Sequence, residues 1–400
     1  AYKGYEAYLV GGAVRDLFLH KPCSDWDVAT NAKPEEVMKL FKFVIPTGIA
    51  HGTVTVHFQN TEIEVTTYRT ESDYSDGRHP DKIEYAGNIE EDLSRRDFTM
   101  NAIAVNLSDG KICDPFNGRK DIKKRIIRTV GNANERFMED GLRPIRALRF
   151  ASQLNFSIQK DTYSEIFKES VQKKITSISI ERFRDEFLKM LKSEKPSVGL
   201  KLMEETGILE LFRPEFKICR GCIQGDERGF HEFDVLDHLF YACDGAPKEK
   251  YKVRLAALFH DIAKPEVKRI IGINHETISK DSAAVAKENE LYTFYNHDNA
   301  GAVKVEKIMR RLKFSNEEIK DVSHLVKNHM FHYESSWTDA AVRRFIVRVG
   351  LNYMEDLFDL RVADVYGMHN EPVNLRASST TDNLLELKER IEKVTEKENA

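Results

Sequence analysis

The feature that most constrains this chain is a change of periodicity near Val130. Before it, short runs rich in Val, Ile and Thr alternate with turn residues, as in VIPTGIAHGTVTVHF and TEIEVTTYR between Val44 and Arg69. Such runs suit half-buried strands, whose successive side chains point to opposite faces. From Asn134 to the end, apolar residues recur at helical spacing and no convincing strand is evident. A chain that changes period in this way folds in segregated parts. The expected fold class is α+β: a head with a small mixed sheet over residues 1–130, an all-α neck over 131–212, and an all-α region over 213–400 that opens after the glycine-bearing CIQGDERGF. With 400 residues, two or three cores are affordable in size.

Within the head, Leu9 to Thr30 (LVGGAVRDLFLHKPCSDWDVAT) reads as a strand, a double-glycine turn carrying Arg15 and Asp16, a short helix, and a second strand presenting Asp25 and Asp27. Two carboxylates one residue apart on a strand share a face, so they form either a divalent-metal site or a solvated pair. Glu64, at the start of a neighbouring strand, is a third carboxylate candidate or an edge charge in water. Residues 71–90 are polar, contain Gly77 and Pro80, and read as an exposed loop. Next, Arg95, Arg96, Asp97 and Asn101 place cations and hydrogen-bonding groups within two turns, where a capping Asp97 beside surface arginines is the plain alternative. Further on, Arg143, Arg146 and Arg149 recur every three residues after Asp140. Three cations on one helical face repel without an anionic partner, for which a triphosphate is a candidate. Pro144 requires that the regular helix begin there or bend there.

The net charge of −4 does not announce a nucleic-acid protein, but RKDIKKRIIR at 119–128 carries six basic side chains against one acid. No apolar run approaches the roughly 20 residues that cross a bilayer, and the first residues lack the pattern of a signal peptide, so a cytoplasmic protein with no membrane partner is expected. Five scattered cysteines suit a reducing compartment, and Cys219 with Cys222 lacks the second pair that a zinc site needs. Histidines accumulate in the third region: His231, His238, His260 with Asp261, His297 with Asp298, His324, His329 and His332, followed by Asp364.

Four motifs in order, GGAVRD with SDWD, RRDFTMNA, DPFNGR and EDGLRPIRALRF, make residues 9–150 resemble the class II nucleotidyltransferases, the family of the bacterial CCA-adding enzymes and poly(A) polymerases. The resemblance implies a polymerase-β-like catalytic head, a helical neck that selects the base and binds RNA, and addition of CCA to tRNA 3′ ends from CTP and ATP; poly(A), CC or A addition are the alternatives within it. It implies that Asp25 and Asp27 are catalytic and hold Mg2+, and that Gly12 and Arg15 contact the phosphates of the nucleotide. Arg96, Asp97 and Asn101 then face the nucleotide and its ribose, Asp140 and Arg143 read the base, and Arg146 and Arg149 complete the site. The loop at 71–90 resembles the segment associated with adding the terminal A. The third region resembles an HD domain, with His238, His260, Asp261 and Asp364 as ligands of a second divalent metal, His297 and His329 extending the set, and a phosphohydrolase activity as the implied chemistry. The family carries a helix before the GYEAYLV strand and a tRNA-gripping tail after a segment like KVTEKENA; both are missing, so a chain trimmed at its ends is expected.

Overall fold

The computed structural model describes residues 4–23, 25–72, 82–212, 214–224, 232–274, 289–371 and 379–399. The chain forms two compact units, Ala1–Phe183 and Arg184–Ala400, and the division falls inside the helix Ile180–Leu191. No helix among the described residues is long and apolar enough to cross a membrane.

The first unit is built on strands β1 (Ala7–Val10), β2 (Trp26–Thr30), β3 (Val44–Gly48), β4 (Thr53–Phe58) and β5 (Thr61–Thr67). A side hairpin, β6 (Arg69–Ser72) with β7 (Lys82–Tyr85), precedes β8 (Ala104–Asn106) and β9 (Ile112–Cys113). The main sheet runs β3-β4-β5-β2-β1-β8-β9. Only β2 and β5 pair in parallel, which makes the sheet mixed. In their register Asp27 faces Glu64 and Val28 faces Val65. The strict alternation of strand faces then decides where chemistry goes. Val28 and Val65 pack with Val54, Val56 and Val37 of the helix Pro34–Leu40. Ala29, two residues from Asp27, belongs to the opposite face with Val10, Tyr68, Ile89 and Leu93. The carboxylates Asp27 and Glu64 therefore sit on the face that the helix Ile89–Ser94 closes further along. Of the polar loop expected at 71–90, the flanks form the hairpin and residues 73–81 lie outside the described residues.

Helices follow at Gly118–Lys124, Ala133–Glu139, Leu142–Leu154, Lys160–Ile166 and Glu169–Thr176. Pro144 lies in the first turn of Leu142–Leu154, where its missing N–H breaks no intrahelical bond. The expectation of a strand-free chain after Asn134 is corrected at two places. The two-residue strands β10 (Ile126–Ile127) and β11 (Ser157–Ile158) pair in parallel, too short for any period to register. In the second unit β12 (Arg269–Asn274) and β13 (Asn289–Thr293) form a hairpin whose register slips between Ile270 and Gly272. A register slip of that kind interrupts the alternation by which a strand is recognised.

The rest of the second unit is helical. Gly367 of the helix Met354–His369 meets the helix Val235–Gly245 so closely that a Cβ would lie 2.8 Å from the amide of Ala242 and the carbonyl of His238. Reciprocally, a Cβ on Gly245 would lie 2.6 Å from that of Tyr366. This close approach brings Asp364 to His238.

Candidate functional site

In the first unit the turn after β1 places Gly11 at φ +71, a left-handed conformation that glycine tolerates without strain. A Cβ there would stand 3.0 Å from Arg96 Nη1 and 3.2 Å from Asp27 Oδ2, so the glycine is what lets these two groups converge. Burial and the charge of Glu64 push the Asp27 carboxyl up to about 6, aided by Asp25 and opposed by Arg96. A carboxylate held reluctant to ionise beside two others is a place where a cation is favoured. Glu64, left open from the sequence, is thereby part of the electrostatics of the pair.

A buried chain of contacts leads away from this point. Arg15 donates through Nη1 to Asn101 Oδ1 at 2.9 Å and through Nε to Asp16 at 2.9 Å, with Gly12 close against its guanidinium. Asn101 donates to Asp97 Oδ1 at 3.0 Å, which also takes the amide of Phe98 at 2.8 Å. Asp97 Oδ2 receives both Nε and Nη2 of Arg146, at 2.9 and 2.7 Å. Burial alone would raise the Asp97 carboxyl, but Arg146, Asn101 and Arg143 bring it down to about 2. Asp97 is thus no helix cap; its two oxygens tie the segment after β7 to the helix Leu142–Leu154.

Each arginine of the stripe has partners within the chain. Arg143 pairs with Glu139 and reaches the carbonyls of Arg136 and Arg95, at 3.1 and 3.0 Å. Arg146 has Asp97, while Arg149 donates to Gln153 at 2.5 Å and lies over the Phe150 ring at 3.7 Å. Arg95 and Arg96 share the fully buried Asp92. Asp140 accepts a two-pronged bond from Arg182, at 3.1 and 2.7 Å, and the amide of Leu142 at 2.9 Å. Sequence reasoning missed Arg182, Asp92 and the role of Glu139. In the 119–128 run, Asp121 is buried against Thr99 and Arg128 while Arg119, Lys120, Lys123 and Lys124 are exposed.

The second unit assembles His238, His260, Asp261, His297, His329 and Asp364, all buried. Two triplets, His238–His260–Asp261 and Asp261–His297–His329, have ligand atoms mutually within 4.8 Å. Asp261 joins them. Its Oδ2 lies 3.4 and 3.2 Å from Nε2 of His238 and His260, and its Oδ1 lies 3.2 and 3.7 Å from Nε2 of His297 and His329. Asp364 Oδ1 closes the first triplet at 3.3 and 3.4 Å from the same two histidines. His324 instead bonds the carbonyl of Val349, His332 is exposed, and His231 lies outside the described residues.

The donor set fits divalent metal. Nδ1 of His260, His297 and His329 stands 2.8, 2.7 and 2.6 Å from the carbonyls of Ala257, Phe294 and Val326. A carbonyl only accepts, so each Nδ1 carries a proton and each Nε2 is the inward-facing nitrogen, left for a second proton or for a metal. Nε2 atoms then face each other at 3.0 Å (His238 and His260) and 3.2 Å (His297 and His329). Such pairs are stable only around a proton or a cation. Burial disfavours charge on His260, yet Asp261 and Asp364 hold it up to about 10, and both carboxyls are held well below their usual range. Cys219, by contrast, is pushed up to about 12 by burial, which leaves it an ordinary buried thiol.

Three segments match known domain families: a Poly A polymerase head domain over residues 7–128, a probable RNA and SrmB-binding site of polymerase A over 155–219, and an HD domain over 228–369. The chain is 50% identical over 248 residues to the CCA-adding enzyme of Oceanobacillus iheyensis, covering 60% of each, and 50% identical over 205 residues to that of Geobacillus thermodenitrificans, covering 51% of this chain and 50% of the relative. The matches thus span some three-fifths or less of these relatives. The fold is similar to the crystal structure of Bacillus stearothermophilus CCA-adding enzyme in complex with CTP, with a TM-score of 0.68 and 28% identity over 98% of this chain and 79% of that one. The mixed-sheet head and the helical remainder are thus similar to the CCA-adding enzymes, with one segment that matches the Poly A polymerase head domain and another that matches the HD domain.

Proposed function

We propose that the chain adds CMP, CMP and AMP to the 3′ end of tRNA from CTP and ATP, without a nucleic-acid template and in the cytoplasm. The observation that carries this reading is the relay Arg15–Asn101–Asp97–Arg146, which ties the helix Gly12–Phe18, between β1 and the acidic strand β2, to the helix Leu142–Leu154 that carries Arg143 and follows Asp140. Residues 1–130 act as the catalytic head, 131–212 as the base-selecting neck, and 213–400 as the HD region. Asp25 and Asp27 would hold Mg2+, which lowers the pKa of the attacking 3′ hydroxyl and neutralises charge on the departing pyrophosphate. Gly12 and Arg15 lie toward the triphosphate. Arg96, poised at Gly11, orients the nucleotide, and Asp97 with Asn101 holds Arg146 in place beside it; Arg149 bounds the pocket.

Base choice follows from donor and acceptor counting. Cytosine and adenine each present an exocyclic amine beside a bare ring nitrogen, so a carboxylate that accepts and a guanidinium that donates satisfy both; uracil and guanine present the reverse. A mismatch strands a buried donor or acceptor at about 1–3 kcal/mol each. Asp140 and Arg143 are the pair proposed for this reading. In the chain alone Arg182 holds Asp140 and Glu139 holds Arg143, which fixes the pair in place, and a base would bond through the lone pairs and N–H groups that these contacts leave over. The test is incorporation of labelled CTP into tRNA lacking its 3′ CCA with Mg2+. Asp25→Ala should abolish incorporation with tRNA binding retained, and turnover by that variant would overturn the metal assignment.

A second reading concerns the HD centre, where inward-facing imidazoles and the shared Asp261 support a two-metal phosphohydrolase. The metal would supply activated water at neutral pH. Metal content of the full chain together with hydrolysis of a 2′,3′-cyclic phosphate tests it; a chain that binds no divalent metal and hydrolyses nothing would overturn it.

A further inference from the structure

Asp92 is fully buried in the helix Ile89–Ser94, whose Ile89 and Leu93 pack with Ala29 and Tyr68. A carboxylate taken out of water is stable only with its lone pairs occupied. Its Oδ1 receives Nε of Arg95 at 3.2 Å and the amide of Arg69 at 3.4 Å, with Nη2 of Arg95 also 3.2 Å away. Its Oδ2 receives Nη2 of Arg96 at 3.4 Å. One buried charge thus faces two successive arginines.

Arg96 lies between two carboxylates. With Nη2 toward Asp92, its Nη1 stands 3.0 Å from the point where a Cβ on Gly11 would be, and Asp27 Oδ2 stands 3.2 Å from the same point. The two atoms are therefore no further apart than the sum of those distances, with no side chain at Gly11 to part them. Among the described residues no ion pair joins Arg96 to Asp27, and Nε of Arg96 is buried without a hydrogen-bond partner. A rigid fork of five donors that makes one long bond to a carboxylate and leaves a buried N–H unmet is held short of a fuller pairing. Opposite charges at such a range attract wherever water is scarce, so a second charge must hold Arg96 back. Asp92 is the carboxylate on its other side.

We propose that Asp92 is a positioning residue: it draws Arg96 away from Asp27 and so keeps that strand carboxylate open to the divalent cation of nucleotidyl transfer. This rests on the nucleotidyltransferase reading above. Once the charge of Asp92 is removed, the guanidinium of Arg96 closes on Asp27 across the gap at Gly11. A cation then has to displace it before the carboxylate can act as a ligand.

Two measurements on the full chain test this. Thermal melts in EDTA at pH 7.5 compare the effect of Asp27→Asn in the unmodified chain and in an Asp92→Asn chain. In the first, the substitution removes a charge that faces Glu64 and should raise Tm; in the second it breaks the new pair with Arg96 and should lower Tm. An Asp92 with a merely structural role would lower Tm on removal but leave the effect of Asp27→Asn unchanged. In the second measurement, incorporation of labelled CTP into tRNA lacking its 3′ CCA is titrated with Mg2+. Asp92→Asn should raise the Mg2+ concentration that gives half the maximal rate by about fivefold, the effect of one added ion pair at the ligand, and saturating Mg2+ should restore most of the rate. Where Asp92→Asn alone does not fold, the variant that also carries Arg95→Gln, which removes the other cation facing Asp92, takes its place in both measurements. An effect of Asp27→Asn that is equal in the two backgrounds, or a magnesium requirement that does not move, overturns the proposal. No incorporation by the unmodified chain overturns the nucleotidyltransferase reading, and the melts alone then decide whether Asp92 restrains Arg96.

Discussion

Asp27 carries a strained charge. Its carboxyl is harder to ionise folded than unfolded, about 6 against the ordinary 3.8, so its charge destabilises the fold above pH 6 and costs nothing once the pH falls below 3.8. Asp27→Asn should therefore stabilise the chain at pH 7.5 by on the order of 1 kcal/mol, a figure discounted because the group is part-exposed, while abolishing incorporation. Thermal melts at pH 7.5 and pH 4 check this: the gain should be present at the first and gone at the second. Equal melts at pH 7.5 would mean that the site does not resist the charge. Base reading is also a matter of single residues. Arg182→Gln leaves Asp140 held only by the amide of Leu142, so discrimination of CTP and ATP over UTP and GTP should fall by tenfold or more with little change in fold. Exchanging Asp140 and Arg143 should move preference toward UTP or GTP, and an unchanged preference would remove both from base reading.

At the scale of elements, two glycine contacts hold the sites together. Gly141, between the helices Ala133–Glu139 and Leu142–Leu154, has the carbonyl of Lys174 2.3 Å from where a Cβ would stand. Gly367 does the same for Asp364 and His238. Gly367→Ala should force the two helices apart, cost about 1–3 kcal/mol in stability, and lower bound metal in chains that remain folded. Metal content measured on the folded fraction checks it, and full occupancy would show that Asp364 is dispensable. Much of this was legible in the sequence. The strands of the head announced themselves because Val54, Val56 and Val65 alternate with polar residues, whereas the acidic pair on the sheet is Asp27 with Glu64 and Asp25 lies one residue ahead of β2. The histidine–aspartate cluster was legible through the resemblance to an HD domain, since the bare order of the histidines does not separate His324 and His332 from the rest. What stayed hidden had physical causes: the register of the β12–β13 hairpin slips, β10 and β11 are two residues each, and Arg182 reaches Asp140 from 42 residues away, whereas Asp92 and Glu139 pair with arginines at i,i+3 and i,i+4 spacings that the sequence does carry.

For the whole molecule, the two units carry separate sets of charged side chains, one acidic and arginine-rich, the other built from imidazole and carboxylate. Their chemistries should separate on mutation. Asp261→Asn removes the carboxylate shared by both metal triplets, so it should abolish metal-dependent hydrolysis while leaving nucleotide incorporation within about twofold of the unmodified chain. A parallel loss of both activities would contradict that independence. The most direct measurement is the sequence of the product formed from tRNA lacking its 3′ CCA, with Mg2+ and with CTP and ATP supplied separately and together. The expected result is two added cytidines with CTP alone and a terminal CCA with both. A long A tail, or no extension with either nucleotide, would contradict the account.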